Sequence, residues 1–498
     1  MFIECLENEL NVSTTENGAQ GYKTTKSALV DFNFKIPSYR NKSNRTNLIL
    51  DFKQAYNENP ELGIKYLFYL RDIRGGLGER DSFRTLLKEM SSIFDERVFG
   101  WILEYGRADD LFSFFDTPLE DKMLTFVEQT LYHDTINQLE SEPATLLAKW
   151  MPSINSSSKK TRELAKRFIK AFNITQKEYR KTLAKLRTYI DIVEKKLCEK
   201  DYSEIEYDKV PSMANLKYNK AFLRNDTERR KAYLESLQKG ETKINSSVVF
   251  PHDIVHRYSN NSYWGDSVNP LDVTLEEMWK ALPDYVKENN NILVVRDGSG
   301  SMTSRIPNST TSALNVATAL AIYFSERQSG EFKDKFITFS ASPKFVDLSK
   351  LNTLHDKLQK CYQEDDCSNT DIGKTFDLIL QVVINNRLKQ EEIPNLLIIS
   401  DQEFDAATYS YNRDKLFEII SDRFRQFGYE MPKLIFWNVN SRTNTIPLTE
   451  NKNGVILVSG YSVPIVNMVL SNKLNPYEAL VETLMGERYK QVSLNVEE

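Results

Sequence analysis

Apolar residues recur along this chain with two different periods, and the change from one to the other divides it. From about Asn47 to Lys287 they fall at helical spacing almost throughout. Leu48, Leu50, Phe52, Ala55 and Tyr56 open the pattern, and Pro60 stands at an expected helix start that leads into Leu62, Ile64, Leu67, Phe68 and Leu70. Gly75-Gly76-Leu77-Gly78 ends that helix, and Phe83, Leu86, Leu87 and Met90 mark the next. From residue 291 onward short apolar runs at 292–296, 335–339, 395–400, 433–438 and 454–458 predict strands, with helical stretches at 310–327, 372–388, 412–427 and 463–472 between them. Such alternation predicts βαβ units on a mainly parallel, doubly wound sheet. Ahead of both regions, Asn11 to Gly21 reads as a flexible polar segment, and Ala28-Leu29-Val30-Asp31-Phe32 reads as near strand-like until Pro37 breaks it. The expected order is a polar segment (1–45), an α-helical HEAT-like solenoid (46–287) and an α/β domain (288–498).

Bulk composition narrows the class. With 498 residues, 40% hydrophobic and 27% charged, the chain has the makeup of an ordinary globular protein of two or three domains. No apolar run reaches the ~18 residues of a membrane span. Met1-Phe2-Ile3-Glu4-Cys5 offers no basic start to a secretory signal. Four cysteines form no disulfide framework, so a cytoplasmic location without disulfides is expected. The net charge of −5 conceals an asymmetry: Lys159 to Lys200 holds 14 Lys/Arg against five Asp/Glu, a local +9. A basic segment within an otherwise acidic chain suits a polyanion, although a solvated lysine-rich helix face would look the same.

The richest chemistry follows the first expected strand of the α/β part. Asp297-Gly298-Ser299-Gly300-Ser301 places three oxygen-bearing side chains at i, i+2 and i+4, with glycines to ease the bend. Such a set can surround one hard cation, because Mg²⁺ takes oxygen ligands in octahedral geometry and keeps several waters. Alone the pattern is weak, since a Ser/Gly turn between strand and helix would look similar. Two later loops strengthen it. Cys367-Ser368-Asn369-Thr370-Asp371 precedes an amphipathic helix, and Leu396-Leu397-Ile398-Ile399-Ser400 ends at Asp401. In open α/β sheets the loops at the strands' carboxyl ends converge on the ligand. The three loops resemble the metal-ion-dependent adhesion site of von Willebrand factor A domains. The resemblance implies a site of Asp297, Ser299 and Ser301 (first motif), Thr370 (second) and Asp401 (third). It implies Mg²⁺ or another divalent cation, whose open position captures an acidic group from a protein partner.

In the helical part, Arg71-Asp72-Ile73-Arg74-Gly75-Gly76-Leu77-Gly78-Glu79-Arg80 could hold phosphate through backbone N–H groups and through Arg74 and Arg80. It lacks the Gly-Lys-Ser/Thr ending of a nucleotide-hydrolysing loop, and a helix C-cap and interhelical turn with charged flanks is the favoured reading. The basic run supplies Arg162, Lys166, Arg167 and Lys170, then Lys177, Arg180, Lys181 and Lys185, with Phe168, Phe172, Tyr179 and Tyr189 interleaved. Cations beside stackable aromatics are what single-stranded RNA requires, although such aromatics are more often core. His252 and His256 at i, i+4 have zinc spacing but no companion ligands, and Cys361 and Cys367 have no matching pair.

Tyr69–Arg80, Tyr105–Leu111, Ala148–Ser153, Tyr179–Lys181, Val210–Ser212, Phe250–Ile254 and Asp401–Asp405 together resemble the TROVE-module proteins typified by the Ro autoantigen. They are most similar to a TROVE-like family of plants, fungi and phages. The resemblance implies a helical ring or solenoid that takes small structured or misfolded RNA, followed by the A domain. Three readings result. The first is a non-enzymatic cytoplasmic RNA-binding scaffold with an acidic partner at the metal site. The second is a Mg²⁺-dependent protein-interaction module without RNA. The third, metal-assisted hydrolysis, is disfavoured by the lack of a Ser/His/Asp set, a P-loop or a His-rich centre.

Overall fold

The computed structural model describes residues 2–259, 268–286, 291–406, 416–448, 454–462, 465, 468 and 475–494. The chain forms two compact units. One runs to Tyr66 and takes in Gly75–Leu77 and Ser246–Ser493; the other holds Leu67–Arg74 and Gly78–Asn245.

The first unit carries a small antiparallel hairpin, β1 (Ser13–Thr14) and β2 (Gln20–Gly21), and one large sheet. The sheet comprises β3 (Ile292–Asp297), β4 (Lys335–Phe339), β5 (Lys344–Asp347), β6 (Asn395–Ser400), β7 (Leu434–Asn438) and β8 (Val455–Ser459). Its order is β5-β4-β3-β6-β7-β8, parallel throughout except for the β4–β5 edge pair. Every residue of β3, β7 and β8 is buried, as continuous apolar runs require in a sheet covered on both faces. The winding direction reverses between β3 and β6, so their carboxyl ends flank the crevice where open sheets hold ligands. The edge strand β5, where only Val346 is buried, has no sequence signal of its own.

Helix Ala313–Arg327 is buried on all sides from Ala313 to Ser325 and packs against β3, β4, β6 and helix Pro251–Tyr258. A helix that is apolar all round belongs in a core. The helical stretch expected at 412–427 is a helix at Leu416–Gln426, with 412–415 outside the described residues. The stretch expected at 463–472 also lies outside them, save for 465 and 468.

Two sequence expectations need correction. Ala28–Tyr39 is a helix and not a strand. Leu29, Val30 and Phe32 are all buried because this helix is enclosed on every side, and that burial produces the misleading apolar run. Pro37 lies within it. A proline cannot donate to the carbonyl four residues back, and here the Asn33 carbonyl accepts the Ser459 hydroxyl instead. Asn438 Nδ2 adds a bond to the Phe34 carbonyl (2.8 Å), fixing the helix beside the ends of β7 and β8.

The polar segment 11–21 likewise has defined partners: Thr15 Oγ1 donates to the Phe404 carbonyl, and Ser13 Oγ bonds Thr445 Oγ1 (2.6 and 2.9 Å). The compact units divide at Asn245, ahead of the change of secondary structure near residue 288. Glu276 accepts the N–H groups of Leu354 and His355 (2.7 and 3.0 Å), and Trp279 Nε1 donates to Glu326 (2.8 Å). The change of period marks a change of secondary structure, whereas these bonds decide which body the helices join.

The second unit is helical. Its longer members are Arg80–Glu89, Arg97–Tyr105, Glu120–Glu140, Lys159–Ala171, Gln176–Tyr189, Ser212–Asn225 and Thr227–Gln238. Phe68 meets Phe83, Trp101 and Tyr105 at centroid separations of 5.8, 5.5 and 5.7 Å. No helix among the described residues is long and apolar enough to cross a membrane.

Candidate metal centre and basic helix face

Asp297 is the last residue of β3, and Asp401 directly follows β6 on the neighbouring strand. Both are fully buried. Asp297 accepts the Ser299 N–H on Oδ1 (2.9 Å) and the Ser400 hydroxyl on Oδ2 (2.5 Å). Ser299 Oγ and Ser301 Oγ lie 3.1 Å apart, and Asp401 Oδ1 accepts the Glu403 N–H (3.2 Å). Burial pushes both carboxyls above the usual carboxylate range, and Asp297 raises Asp401 further. Two buried acids that repel one another, with hydroxyl oxygens beside them, form a donor set that a divalent cation would neutralise.

The second loop reaches the first through Gly300, whose N–H donates to the Ser368 carbonyl (2.9 Å). Neither Gly298 nor Gly300 takes a left-handed φ, so the glycines serve close approach and not the bend expected from sequence. A Cβ on Gly300 would lie 2.7 Å from the Cys367 carbonyl oxygen, and one on Gly298 would lie 2.7 Å from Asp365 Oδ1 and Thr338 Oγ1. Thr370 is buried; its N–H donates to Asp405 Oδ2 (3.0 Å) and its hydroxyl accepts Asn17 Nδ2 (3.2 Å). Hydrogen bonds tie Asp297, Ser299 and Ser301 together, and Asp401 stands at the end of the neighbouring strand. Thr370 enters from the adjoining loop without a direct bond to those four.

Residues missed by sequence reasoning frame this set. Arg296, fully buried, donates to Thr318 Oγ1 (2.7 Å) and Thr338 Oγ1 (2.9 Å) and pairs with the nearly buried Asp365. Glu403, also fully buried, accepts Glu16 N, Arg442 N and Thr443 N (2.8, 2.7 and 2.9 Å). Arg442 reaches Asp401 Oδ2 at 3.5 Å. Arg296 carries a signal in sequence, being a lone charge at the end of an apolar run. Glu16, Asn17 and Arg442 carry none.

In the helical unit the Arg-Gly motif is partly consumed by structure. Asp110, fully buried, accepts Arg71 Nε (2.7 Å), Arg84 Nε (2.5 Å) and the Arg107 N–H (2.9 Å). Arg74 and Arg80 remain exposed. On the basic helices, Arg162 bonds the carbonyls of Ser156 and Ser157, and Arg167 pairs with Asp116 and Glu120 (3.0 and 2.6 Å). Lys166, Lys170, Lys177, Arg180, Lys181 and Lys185 are exposed. Phe168, Phe172 and Tyr179 are core, and the half-buried Tyr189 donates its hydroxyl to the Glu142 carbonyl (2.7 Å), so the stacking surface expected from sequence is not formed.

His252 stacks on Phe250 at 5.4 Å and meets the edge of Tyr461 at 5.2 Å, while His256 Nε2 lies 2.9 Å from Thr310 Oγ1. The spacing serves packing. Cys198, Cys361 and Cys367 form no disulfide among the described residues, and burial pushes the Cys361 thiol up to about 12.

Comparison with known proteins bears on both units. Residues 15–90 and 128–292 match the family described as "Domain of unknown function (DUF2828)", and residues 291–494 match "Domain of unknown function (DUF7788)". "Uncharacterized protein L728" of Acanthamoeba polyphaga mimivirus is 30% identical over 98% of this chain and 90% of its own length. The crystal structure of the Deinococcus radiodurans RO (RSR) protein aligns over 91% of this chain and 82% of its own, at 13% identity and a TM-score of 0.31. That score is too low to equate the two folds.

Proposed function

The chain belongs to the family of the mimivirus "Uncharacterized protein L728", and we propose that it is a non-enzymatic binding scaffold whose sheet unit grips an acidic group through a divalent cation. In this reading the sheet unit is a von Willebrand factor A-type domain. Asp297, Ser299, Ser301, Thr370 and Asp401 hold Mg²⁺ or a similar ion. The observation that carries it is the pair of buried carboxylates, Asp297 and Asp401, with hydroxyls beside them at the sheet's switch point. The cation supplies an electrophilic position for a partner's carboxylate. A set with more hydroxyls than charges suits gripping an acid better than activating water, so catalysis is not assigned. Hexaglutamate retained on the immobilised protein in Mg²⁺, and released by EDTA or by Thr370→Ala, would support this function. Retention indifferent to both would refute it.

A second component is RNA held on the helical unit, which we read as a set of HEAT-like repeats. Six exposed cations on two successive helices, Lys166, Lys170, Lys177, Arg180, Lys181 and Lys185, favour it, and none is in an ion pair among the described residues. With the neighbouring aromatics engaged inside the protein, binding would be to phosphates and strongly salt-dependent. Cysteine usage supports a reducing, cytoplasmic setting.

A further inference from the structure

We propose that the turn between β1 and β2 is an in-cis occupant of the metal site's ligand face, with Glu16 standing where a partner's acid docks. Arg442 is then the guanidinium that shares that acid with the cation. The inference rests on the metal-dependent reading above and adds the specificity residue and its internal competitor.

The hairpin is pinned close to the site. Thr15 Oγ1 donates to the Phe404 carbonyl (2.6 Å), and Asn17 Nδ2 donates both to the Glu403 carbonyl (2.7 Å) and to the hydroxyl of Thr370 (3.2 Å). Tyr22 and Ile446 exchange backbone bonds of 2.8 and 2.9 Å just beyond β2. The buried Glu403 carboxylate takes the Glu16 N–H on one oxygen and the Arg442 and Thr443 N–H groups on the other. One carboxylate therefore fixes the turn and the arginine loop together. From that shared anchor, Glu16 Oε2 reaches Arg442 Nη2 at 2.7 Å, and the same nitrogen lies 3.5 Å from Asp401 Oδ2.

A carboxylate is thus already docked beside the site, and it comes from the chain itself. Its hold is weak where the turn's hold is strong. The Glu16 side chain is 53% exposed and that of Arg442 is 39% exposed, so their pair is screened by water. The Thr15 bond is buried, and the Glu16 N–H and Asn17 bonds are part-buried. An incoming acid displaces one side chain without unseating the hairpin. Arg442 can then present a planar fork to the new carboxylate, a geometry that lysine cannot copy.

The experiment uses the full chain. Mn²⁺ binding is followed by electron paramagnetic resonance, and fluorescein-labelled hexaglutamate in Mg²⁺ is followed by anisotropy, for wild type, Glu16→Gln, Arg442→Gln and Arg442→Lys. We expect Mn²⁺ still bound by E16Q, hexaglutamate about two- to five-fold tighter in E16Q, weaker in R442Q, and not restored by R442K. Intact Mn²⁺ binding with hexaglutamate unbound, or bound no tighter by E16Q, overturns the inference while leaving the metal site standing. Absent Mn²⁺ binding in wild type removes the site and the inference together.

Discussion

Ser400 donates its hydroxyl to Asp297 Oδ2 at 2.5 Å, across the two central parallel strands β6 and β3. The bond orients the first carboxylate of the proposed cation site from a residue outside the proposed ligand set. Groups that orient metal ligands typically set affinity by about 10- to 100-fold. Ser400→Ala is expected to weaken Mn²⁺ binding by that factor with little change in the folded structure. Titration followed by electron paramagnetic resonance checks it, and unchanged affinity would show that Ser400 serves packing alone.

Asp110 in the helical unit tests a different bond network. It is fully buried and accepts Arg71, Arg84 and the Arg107 N–H. Asp110→Ala leaves the buried Arg71 without its counter-charge, and breaking such a pair from one side costs about 3–5 kcal/mol. Urea unfolding should show a destabilisation of that size, whereas one under about 1 kcal/mol would mean that water replaces the carboxylate.

The strands β3 and β6 and their terminal acids were legible because a parallel core strand is a run of apolar residues, and an acid at its end is conspicuous. Thr370 was legible from the turn-like residues before an amphipathic helix. The hairpin over the site was not. Its strands are two residues long, and Asn17 finds Thr370 across 353 residues of sequence. Helix Ala28–Tyr39 was misread because total burial erases helical periodicity. The basic helices were legible as charge, but spacing could not tell that Phe168 and Tyr179 face inward.

Burial also couples stability to pH through His252, whose imidazole is pushed down from 6.5 to about 4, chiefly by desolvation. Above about pH 6.5 neither the folded nor the unfolded ring is charged, and stability is flat in this group. Between about pH 6.5 and 4 only the unfolded chain takes the proton, so stability falls as pH falls. The full effect is on the order of 3 kcal/mol. His252→Asn should remove that part of the slope when unfolding is measured near pH 7 and near pH 5. An identical slope in both proteins would assign the pH dependence to other groups.

The exposed lysines give the RNA component its own test. Reversing Lys166, Lys170, Lys181 and Lys185 to Glu should preserve the fold, since all four side chains are exposed. Filter binding of a structured RNA should weaken by more than about ten-fold at low salt. The slope of log affinity against log salt should fall by about 0.7–0.9 for each phosphate that the variant no longer neutralises. Equal retention by wild type and variant would remove RNA from this face.

The most direct measurement is metal titration of the intact chain. Wild type should bind one equivalent of Mn²⁺, displaced by Mg²⁺, and Asp297→Asn and Thr370→Ala should each abolish that binding while their circular dichroism stays that of wild type. Wild type that binds no Mn²⁺, or variants that bind it unchanged, would contradict the assignment of Asp297, Ser299, Ser301, Thr370 and Asp401 as a cation site.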